Sequence, residues 1–182
     1  MSLGGPLLVT EHLILRPPAA EDLDGWAAFH ADPEAMRFLG GVVSRAASWR
    51  MLCTMAGAWH IRGFSMFSLI ERSSGRWVGR VGPWQPEGWP GTEVGWGVLP
   101  EFAGRGYARE AAVASIDFAV EMLHWDEVIH CIDPANSASI KLAERLGAVD
   151  RGPTTLPAPL DVFAVNRWSQ SAAEWKARRA TL

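Results

Sequence analysis

EVGWGVLPEFAGRGYARE, residues 93–110, is the stretch of sequence that decides the fold of this chain. A short apolar strand passes through a glycine-rich turn, Gly104 to Ala108, and continues directly into a helix. Glycine permits the backbone conformations of a tight turn, so several N–H groups can point at one spot, where the following helix adds the positive end of its dipole. The stretch therefore predicts an anion site, and we expect a phosphorylated ligand on it.

Spacing distinguishes three phosphate-binding designs that use a strand, a glycine turn and a helix. The nucleoside-triphosphate loop requires GxxxxGK followed by Ser or Thr, which the sequence does not contain. The dinucleotide fingerprint GxGxxG begins with Gly104 and Gly106, but its third small position falls on Arg109, whose side chain would block close helix–strand packing. The acetyl-coenzyme A loop reads Gln or Arg, two residues, Gly, one residue, then Gly or Ala, and Gly106 and Ala108 match its end.

The rest of the sequence predicts a mixed α+β fold in a single domain of residues 1–182. Apolar patterns bounded by turn residues predict strands over 12–17, 64–71, 77–82, 92–99, 127–133 and 161–165. Helical spacing and capping residues predict helices over 20–31, 44–61, 106–123, 136–147 and 171–180. We expect a central, mostly antiparallel sheet flanked by helices, and we leave Met1 to Gly5 out of the fold prediction.

Composition excludes several classes of protein. The formal net charge of −3 and the pI near 5.9 argue against a sequence-independent nucleic-acid binder, which would show a basic face. No apolar run reaches the roughly 18 residues of a membrane span, so we expect a soluble cytoplasmic protein. Cys53 and Cys131 fit neither a disulfide framework nor a zinc site, and we expect both to be reduced, buried thiols.

Three segments together make the chain resemble the GNAT superfamily of N-acetyltransferases, particularly the branch that acetylates ribosomal-protein N-termini and its relatives that act on small molecules. The segments are HLILRP at the first strand, EVGWGVLPEFAGRGYAREA in the middle and NSASIKLAERLGA near the end. The resemblance implies a GNAT-like domain with a sheet that splays near the coenzyme. It implies acetyl-CoA as co-substrate, no metal, and direct transfer to a primary amine of a protein N-terminus or small molecule in a ternary complex. We expect a monomer or homodimer that binds neither nucleic acid nor membrane.

The resemblance also implies a set of coenzyme-binding residues. The pantetheine arm is expected along Trp96-Gly97-Val98, where that strand splays from 127–133; the structural alternative is an ordinary strand weakened by glycine. The full set is Trp96, Gly97, Val98, Gly104, Arg105, Gly106, Tyr107, Ala108, Arg109 and Asn136. Two positions depart from the family pattern: Ala103 stands where Gln or Arg is usual, and Gly147-Ala148 stands where Gly-Phe is common.

Arg105 and Arg109 are expected to meet the phosphates of the coenzyme. A cation in the first turn of a helix is unfavourable beside the positive dipole end unless an anion is bound there. The alternative is a pair of salt bridges to Glu101 or Glu110. Tyr107, the only tyrosine, is expected to pack or to contact the coenzyme.

Glu93 and Ser139 are the candidate catalytic residues. Glu93 begins the strand that leads to the loop, so its carboxylate is expected to act as general base toward the acceptor amine; a solvated strand-end carboxylate is the alternative. Ser139 resembles the family position that faces the sulfur and is the candidate proton donor, although a first-turn serine that satisfies backbone groups would look the same. Asn136 is expected to cap the helix, to contact pantetheine, or both.

The acceptor amine cannot be named from these patterns, and a second function stays open. Four tryptophans between residues 77 and 96 (Trp77, Trp84, Trp89 and Trp96) are core or rim residues, or else form an aromatic acceptor pocket. Acceptor choice is expected in segments 44–61, 83–91 and 156–161. The alternative function is a coenzyme A-binding sensor or interaction module with little or no turnover, because Ala103 and the absence of a catalytic tyrosine weaken the match.

Overall fold

The computed structural model of the protein describes residues 4–181, so Met1 to Leu3, which belong to the segment left out of the fold prediction, lie outside it, as does Leu182. Within this range the chain forms eight strands, mostly antiparallel, and five α-helices, and the predicted mixed α+β fold class is confirmed. The chain divides into two compact units. The first comprises the residues up to Gly82 and Trp96–Ala114; the second comprises Pro83–Gly95 and the residues from Ser115 onward.

The first unit contains the N-terminal strands and two helices. Its strands are β1 (Leu8–Val9), β2 (Leu13–Arg16), β3 (Phe67–Glu71), β4 (Trp77–Trp84, with its last two residues in the second unit) and the end of β5 (Glu93–Val98). They are hydrogen-bonded in the order β1-β2-β3-β4-β5, and the first three pairs are antiparallel. Helix α1 (Leu23–Ala31) follows a short 3-10 turn, and α2 (Arg45–Arg62) follows α1. The core of this unit includes Leu13, Leu15, Trp26, Phe29 and Leu69.

The second unit contains the start of β5 and the C-terminal strands. β6 (Glu127–Ile132), β7 (Val149–Thr154) and β8 (Val165–Ser171) follow β5 in the order β5-β6-β8-β7. β5 and β6 are parallel, and the other two pairs are antiparallel. Helix α3 (Tyr107–Glu121) passes from the first unit into the second, which also holds α4 (Ser137–Leu146) and α5 (Ala172–Arg179).

Local capping chemistry sets the helix ends where the sequence predicts them. Ser44 accepts a hydrogen bond from the N–H of Ala47 and starts α2, which ends at Gly63. Asn136 starts α4 in the same way, and Gly147 ends it in the left-handed conformation. These positions satisfy backbone groups that a helix end leaves unpaired, so short-range pattern was sufficient to find them.

The strand prediction is wrong near the C-terminus. The last strand is β8 (Val165–Ser171), not 161–165, and two strands, β1 and β7, were not predicted. β8 reads VNRWSQS, which has no apolar alternation, yet it lies between β6 and β7 in the sheet, and Ser169 and Gln170 are buried. The burial of a strand interior to a sheet depends on its neighbours and leaves no trace in its own sequence.

The prediction that both cysteines are buried is also wrong. Both are free thiols, but Cys53 is exposed and Cys131 is half-buried. The inner face of α2 consists of Ser48, Leu52, Met55 and Trp59, so the apolar stripe is rotated away from Cys53. Within residues 4–181, no helix is both long enough and apolar enough to cross a membrane.

Candidate active site

The glycine turn has the geometry of an anion-binding loop. Gly104 and Gly106 have φ angles of +77° and +83°, which other residues rarely adopt. Helix α3 begins immediately afterwards at Tyr107, and the N–H of Glu110 donates to the carbonyl of Gly106. A Cβ added to either glycine would meet no atom within 4 Å, so the space beside the turn is open. Open space at the N-terminus of a helix is where an anionic group can approach backbone N–H groups.

The two arginines of the loop differ in their contacts. The guanidinium of Arg105 lies over the ring of Phe102 at 4.9 Å and 3.3 Å from the Glu71 carboxylate, and half of its side chain is exposed. Arg109 is exposed, and no carboxylate among residues 4–181 forms an ion pair with it. The alternative partners considered for these arginines, Glu101 and Glu110, bind Arg76 and His12 instead.

Tyr107 directs its hydroxyl away from solvent and toward Glu71. The hydroxyl donates to Glu71 Oε1 at 2.6 Å, and the ring stacks on Phe102 with centroids 6.3 Å apart. Hydrogen bonds from Ser74 and Tyr107 hold the pKa of the Glu71 carboxyl below its ordinary value, and the same bond raises the pKa of Tyr107. Tyr107 is therefore packed within the loop, with its hydroxyl bound to Glu71.

Glu110 ties the first turn of α3 to the chain between β1 and β2. Its carboxylate accepts hydrogen bonds from Thr10 Oγ1 at 2.5 Å, from the N–H of His12 at 2.8 Å and from His12 Nδ1 at 2.8 Å. Burial raises the pKa of Glu110, but these hydrogen bonds outweigh burial and lower it. The hydrogen bond to Glu110 in turn raises the pKa of His12. The first turn of the helix is thus fixed from outside the loop.

The end of β5 is tightly packed at Gly97. A Cβ on Gly97 would lie 2.7 Å from Cζ of Phe29, and a Cβ on Gly79 of β4 would lie 2.4 Å from the Gly97 carbonyl oxygen. Contacts between real atoms are essentially never this short, so both positions require glycine for packing. Packing within the first unit therefore accounts for Gly97 independently of any role toward a ligand.

Glu93 lies in the second unit and is buried. Its Oε1 accepts a hydrogen bond from the N–H of Cys131 at 2.9 Å, and its Oε2 accepts one from Trp89 Nε1 at 2.5 Å. Burial, followed by the neighbouring Glu93, raises the pKa of the Cys131 thiol well above its ordinary value. Glu93 is thus a fixed carboxylate and not the solvated strand-end residue considered as its alternative.

Side chains replace backbone pairing between β5 and β6 beyond Glu93. Glu93 pairs with Ile129 in a parallel register, and backbone groups of the residues that follow form hydrogen bonds with side chains. The N–H of Cys131 donates to the Glu93 side chain, while Nδ1–H of His130 donates to the carbonyl of Val94 at 2.7 Å. Because these backbone groups bind side chains and not the backbone of the neighbouring strand, β5 and β6 begin to separate here.

The other two predicted residues lie at the start of α4, also in the second unit. Asn136 Oδ1 accepts a hydrogen bond from the N–H of Ser139 at 3.1 Å, so Asn136 is the N-cap of this helix. Ser139 is half-buried in the first turn. The predicted set therefore divides between the units: residues 96–98 and 104–109 are in the first, and Glu93, Asn136 and Ser139 are in the second.

Four residues that contact this set were not assigned these contacts by sequence reasoning. They are Glu71, which binds the loop; Glu110, which binds the β1–β2 turn; and Trp89 and Cys131, which bind Glu93. Each contact except that of Trp89 joins positions more than thirty residues apart, and no local spacing marks it. Only Trp89 and Glu93 are close together in the sequence, so theirs is the only one of these contacts that a local pattern could have indicated.

Comparison with known proteins assigns the family. A family model described as "Acetyltransferase (GNAT) domain" matches residues 12–149. The chain belongs to the GNAT acetyltransferase family. The chain is 29% identical over 150 residues to "Uncharacterized protein YkkB" of Bacillus subtilis (strain 168), which covers 77% of this chain and 83% of that protein. It is 28% identical over 151 residues to "Uncharacterized N-acetyltransferase p20" of Bacillus licheniformis, covering 80% of this chain and 83% of that protein.

A solved structure gives the same answer. The acetyltransferase from Agrobacterium tumefaciens str. C58 shares 30% identity with this chain at a TM-score of 0.80, over 91% of this chain and 94% of that one. The chain is therefore a GNAT acetyltransferase, as its sequence predicted, and this family uses acetyl-CoA as co-substrate. The open glycine turn at the start of α3 fits the phosphates of such a co-substrate.

Proposed function

We propose that this acetyltransferase moves the acetyl group of acetyl-CoA directly to a primary amine, on a protein N-terminus or a small molecule, in a ternary complex within a single domain of residues 1–182. The observation that carries the proposal is the loop at Gly104–Gly106, whose two left-handed glycines face open space at the N-terminus of a 15-residue helix. The exposed Arg109 and the half-exposed Arg105 support it, because both place positive charge where the dipole alone would disfavour it.

The proposed coenzyme-binding residues are those of the loop, the preceding strand and the α4 cap. Loop N–H groups and the two arginines bind phosphate oxygens, the backbone of the strand end pairs with the pantetheine arm, and Asn136 contacts the same arm. The set comprises Trp96, Gly97, Val98, Gly104, Arg105, Gly106, Tyr107, Ala108, Arg109 and Asn136. Tyr107 contributes through packing, since its hydroxyl is bonded to Glu71.

Glu93 is the proposed general base. The amine must lose a proton as the carbon–nitrogen bond forms and the carbon–sulfur bond breaks, and the departing thiolate must gain one. The Glu93 carboxylate is fixed by Trp89 and by the N–H of Cys131, so its orientation is set before an amine arrives. Ser139, near the N-terminus of α4, is the proposed proton donor to the thiolate.

Turnover tests the proposed activity. Coenzyme A release from acetyl-CoA is measured with a panel of N-terminal peptides, polyamines, amino acids and aminoglycosides; chromatography is required because the exposed Cys53 would react with thiol reagents. We expect release with at least one amine class. Binding of acetyl-CoA without turnover on any amine would favour the sensor or interaction module, and absence of binding would contradict both functions.

A matched pair of variants tests Glu93 as base. Glu93→Gln should lower kcat/KM by about 10²-fold or more, most strongly at low pH where the acceptor is protonated and most needs a base. Glu127→Gln, which removes a carboxylate of the same unit that pairs with Arg167, should leave the pH–rate profile unchanged. An unaltered profile in Glu93→Gln would remove Glu93 from the mechanism.

We also propose a cytoplasmic location and a monomeric or homodimeric state, with neither nucleic acid nor membrane as partner. The exposed free thiol of Cys53 supports the location, because unpaired surface cysteines are typical of reducing compartments. The net charge of −3 supports the exclusion of nucleic acid.

A further inference from the structure

Glu71 is a buried carboxylate for which the proposed chemistry has no use. It lies at the end of β3 and accepts hydrogen bonds from Ser74 Oγ at 2.5 Å, from the Tyr107 hydroxyl at 2.6 Å and from Arg105 NH1 at 3.3 Å. Two of its three donors therefore belong to the glycine loop, more than thirty residues further along the chain. A buried carboxylate with charge-assisted bonds to a distant loop constrains that loop.

The loop needs such a constraint because of its glycines. Gly104 and Gly106 flank Arg105, and Tyr107 follows directly, so the backbone on both sides of Arg105 has little conformational preference of its own. The Glu71 bonds act on both Arg105 and Tyr107. The ring of Phe102 lies beneath the Arg105 guanidinium and stacks on Tyr107, which fixes the same two residues from another side.

We infer that Glu71 is a positioning residue for the coenzyme loop: it holds Tyr107 and Arg105 so that the loop N–H groups and the Arg105 guanidinium face the phosphates. This inference rests on the proposed function, since it assumes that the loop binds acetyl-CoA. Half of the Arg105 side chain stays exposed while it contacts Glu71, so a guanidinium face is left for a ligand.

The charge of Glu71 and its hydrogen bonds to the loop have opposite effects on the affinity for acetyl-CoA. A carboxylate near a phosphate site repels the ligand, so removing the charge of Glu71 would by Coulomb's law strengthen acetyl-CoA binding. Removing its hydrogen bonds would release the loop and weaken binding, because the loop would have to be ordered when the ligand binds. The direction of the change in affinity therefore separates positioning from charge.

The test compares Glu71→Ala with Glu101→Ala. Both substitutions remove one negative charge close to the loop, and Glu71→Ala also removes the oxygens that accept hydrogen bonds from Arg105 and Tyr107, whereas Glu101 contacts Arg76 on the surface and does not contact Arg105 or Tyr107. By calorimetry with acetyl-CoA, we expect Glu71→Ala to bind about three- to tenfold more weakly than the unmodified protein, and Glu101→Ala to bind equally or more tightly. With a productive amine, Glu71→Ala should raise KM for acetyl-CoA while kcat at saturation changes less than about twofold.

Tyr107→Phe provides a second route to the same contact. It removes the hydroxyl and keeps the ring on Phe102, so it should weaken acetyl-CoA binding in the same direction, and the double variant should bind about as weakly as the weaker single variant. If Glu71→Ala does not fold, as judged by thermal melting, the acetyl-CoA affinity of Tyr107→Phe alone tests the inference. Unchanged or tighter binding in the folded variants overturns the inference. If the unmodified protein does not bind acetyl-CoA, the proposed function is wrong, and so is the inference about Glu71, which depends on it.

Discussion

Ser68 shows how a single hydroxyl organises the core of the first unit. Its Oγ accepts hydrogen bonds from the indole N–H groups of Trp26 at 3.2 Å and Trp77 at 3.1 Å, and its own proton goes to Asp22 Oδ2 at 2.7 Å. Asp22 in turn accepts two bonds from Arg16. Every polar atom named here has a partner, which is the condition under which a buried polar network stabilises a core. Trp77 is half-buried, and its indole N–H is bound within this network.

Ser68→Ala should destabilise the protein by about 1–3 kcal/mol, because it leaves the buried indole N–H of Trp26 and that of the half-buried Trp77 without their acceptor. Ser115→Ala is the matched control: Ser115 is also fully buried, but its hydroxyl has no hydrogen-bond partner among the described residues. Its removal should be neutral or slightly stabilising. Urea unfolding of the two variants measures the difference, and equal losses would show that the Ser68 bonds contribute nothing.

At the scale of elements, the structure separates what local sequence can specify from what it cannot. The caps of α2 and α4 and the glycine turn before α3 were all predicted, because each is determined by residues within one or two helical turns. β7 and β8 were missed because strand pairing, which their own sequences do not show, defines them: β7, which is largely exposed, pairs with β8, and β8 pairs with β6. The same distinction applies to the candidate site. Its glycine loop could be predicted from the sequence, whereas the hydrogen bonds of Glu71 with that loop and of Cys131 with Glu93 could not.

The start of α4 allows the two proposed roles of Asn136 to be separated. Asn136→Ala removes the cap on the Ser139 N–H and should cost about 0.5–2 kcal/mol of stability. Asn136→Ser retains a capping oxygen and should restore that stability, yet it shortens the side chain and should still raise KM for acetyl-CoA, because we propose that the amide contacts the pantetheine arm. Thermal melting and KM are measured on both variants. Recovery of both quantities in Asn136→Ser would show that Asn136 is a cap alone.

For the whole molecule, two buried histidines link stability to pH. Burial, followed by the charge of Arg80, lowers the pKa of His30 from 6.5 to about 4, and burial lowers that of His130 to about 4 despite its bond to the Val94 carbonyl. Because the folded pKa lies below the unfolded one, the unfolded chain binds these protons more readily. Their contribution is complete above pH 6.5 and is lost as pH falls from about 6.5 to 4. The exposed His12, whose pKa is raised, acts weakly in the opposite direction.

The melting temperature should therefore fall between pH 7.5 and pH 5.0, where each buried histidine costs on the order of 1–2 kcal/mol. Carboxylates with a lowered pKa, such as Glu71 and Glu174, lose their contribution to stability only below the ordinary pKa of 4.5. They therefore do not account for a fall in melting temperature between pH 7.5 and pH 5.0. His30→Gln should reduce the fall in melting temperature, because glutamine does not titrate, whereas His60→Gln, at an exposed position of α2, should leave it unchanged. The slope is compared and not the absolute melting temperature, since His30→Gln also alters the contact with Ser48. An identical fall in all three proteins would mean that His30 binds its proton equally well in the folded and unfolded chain, and that its burial is not linked to pH.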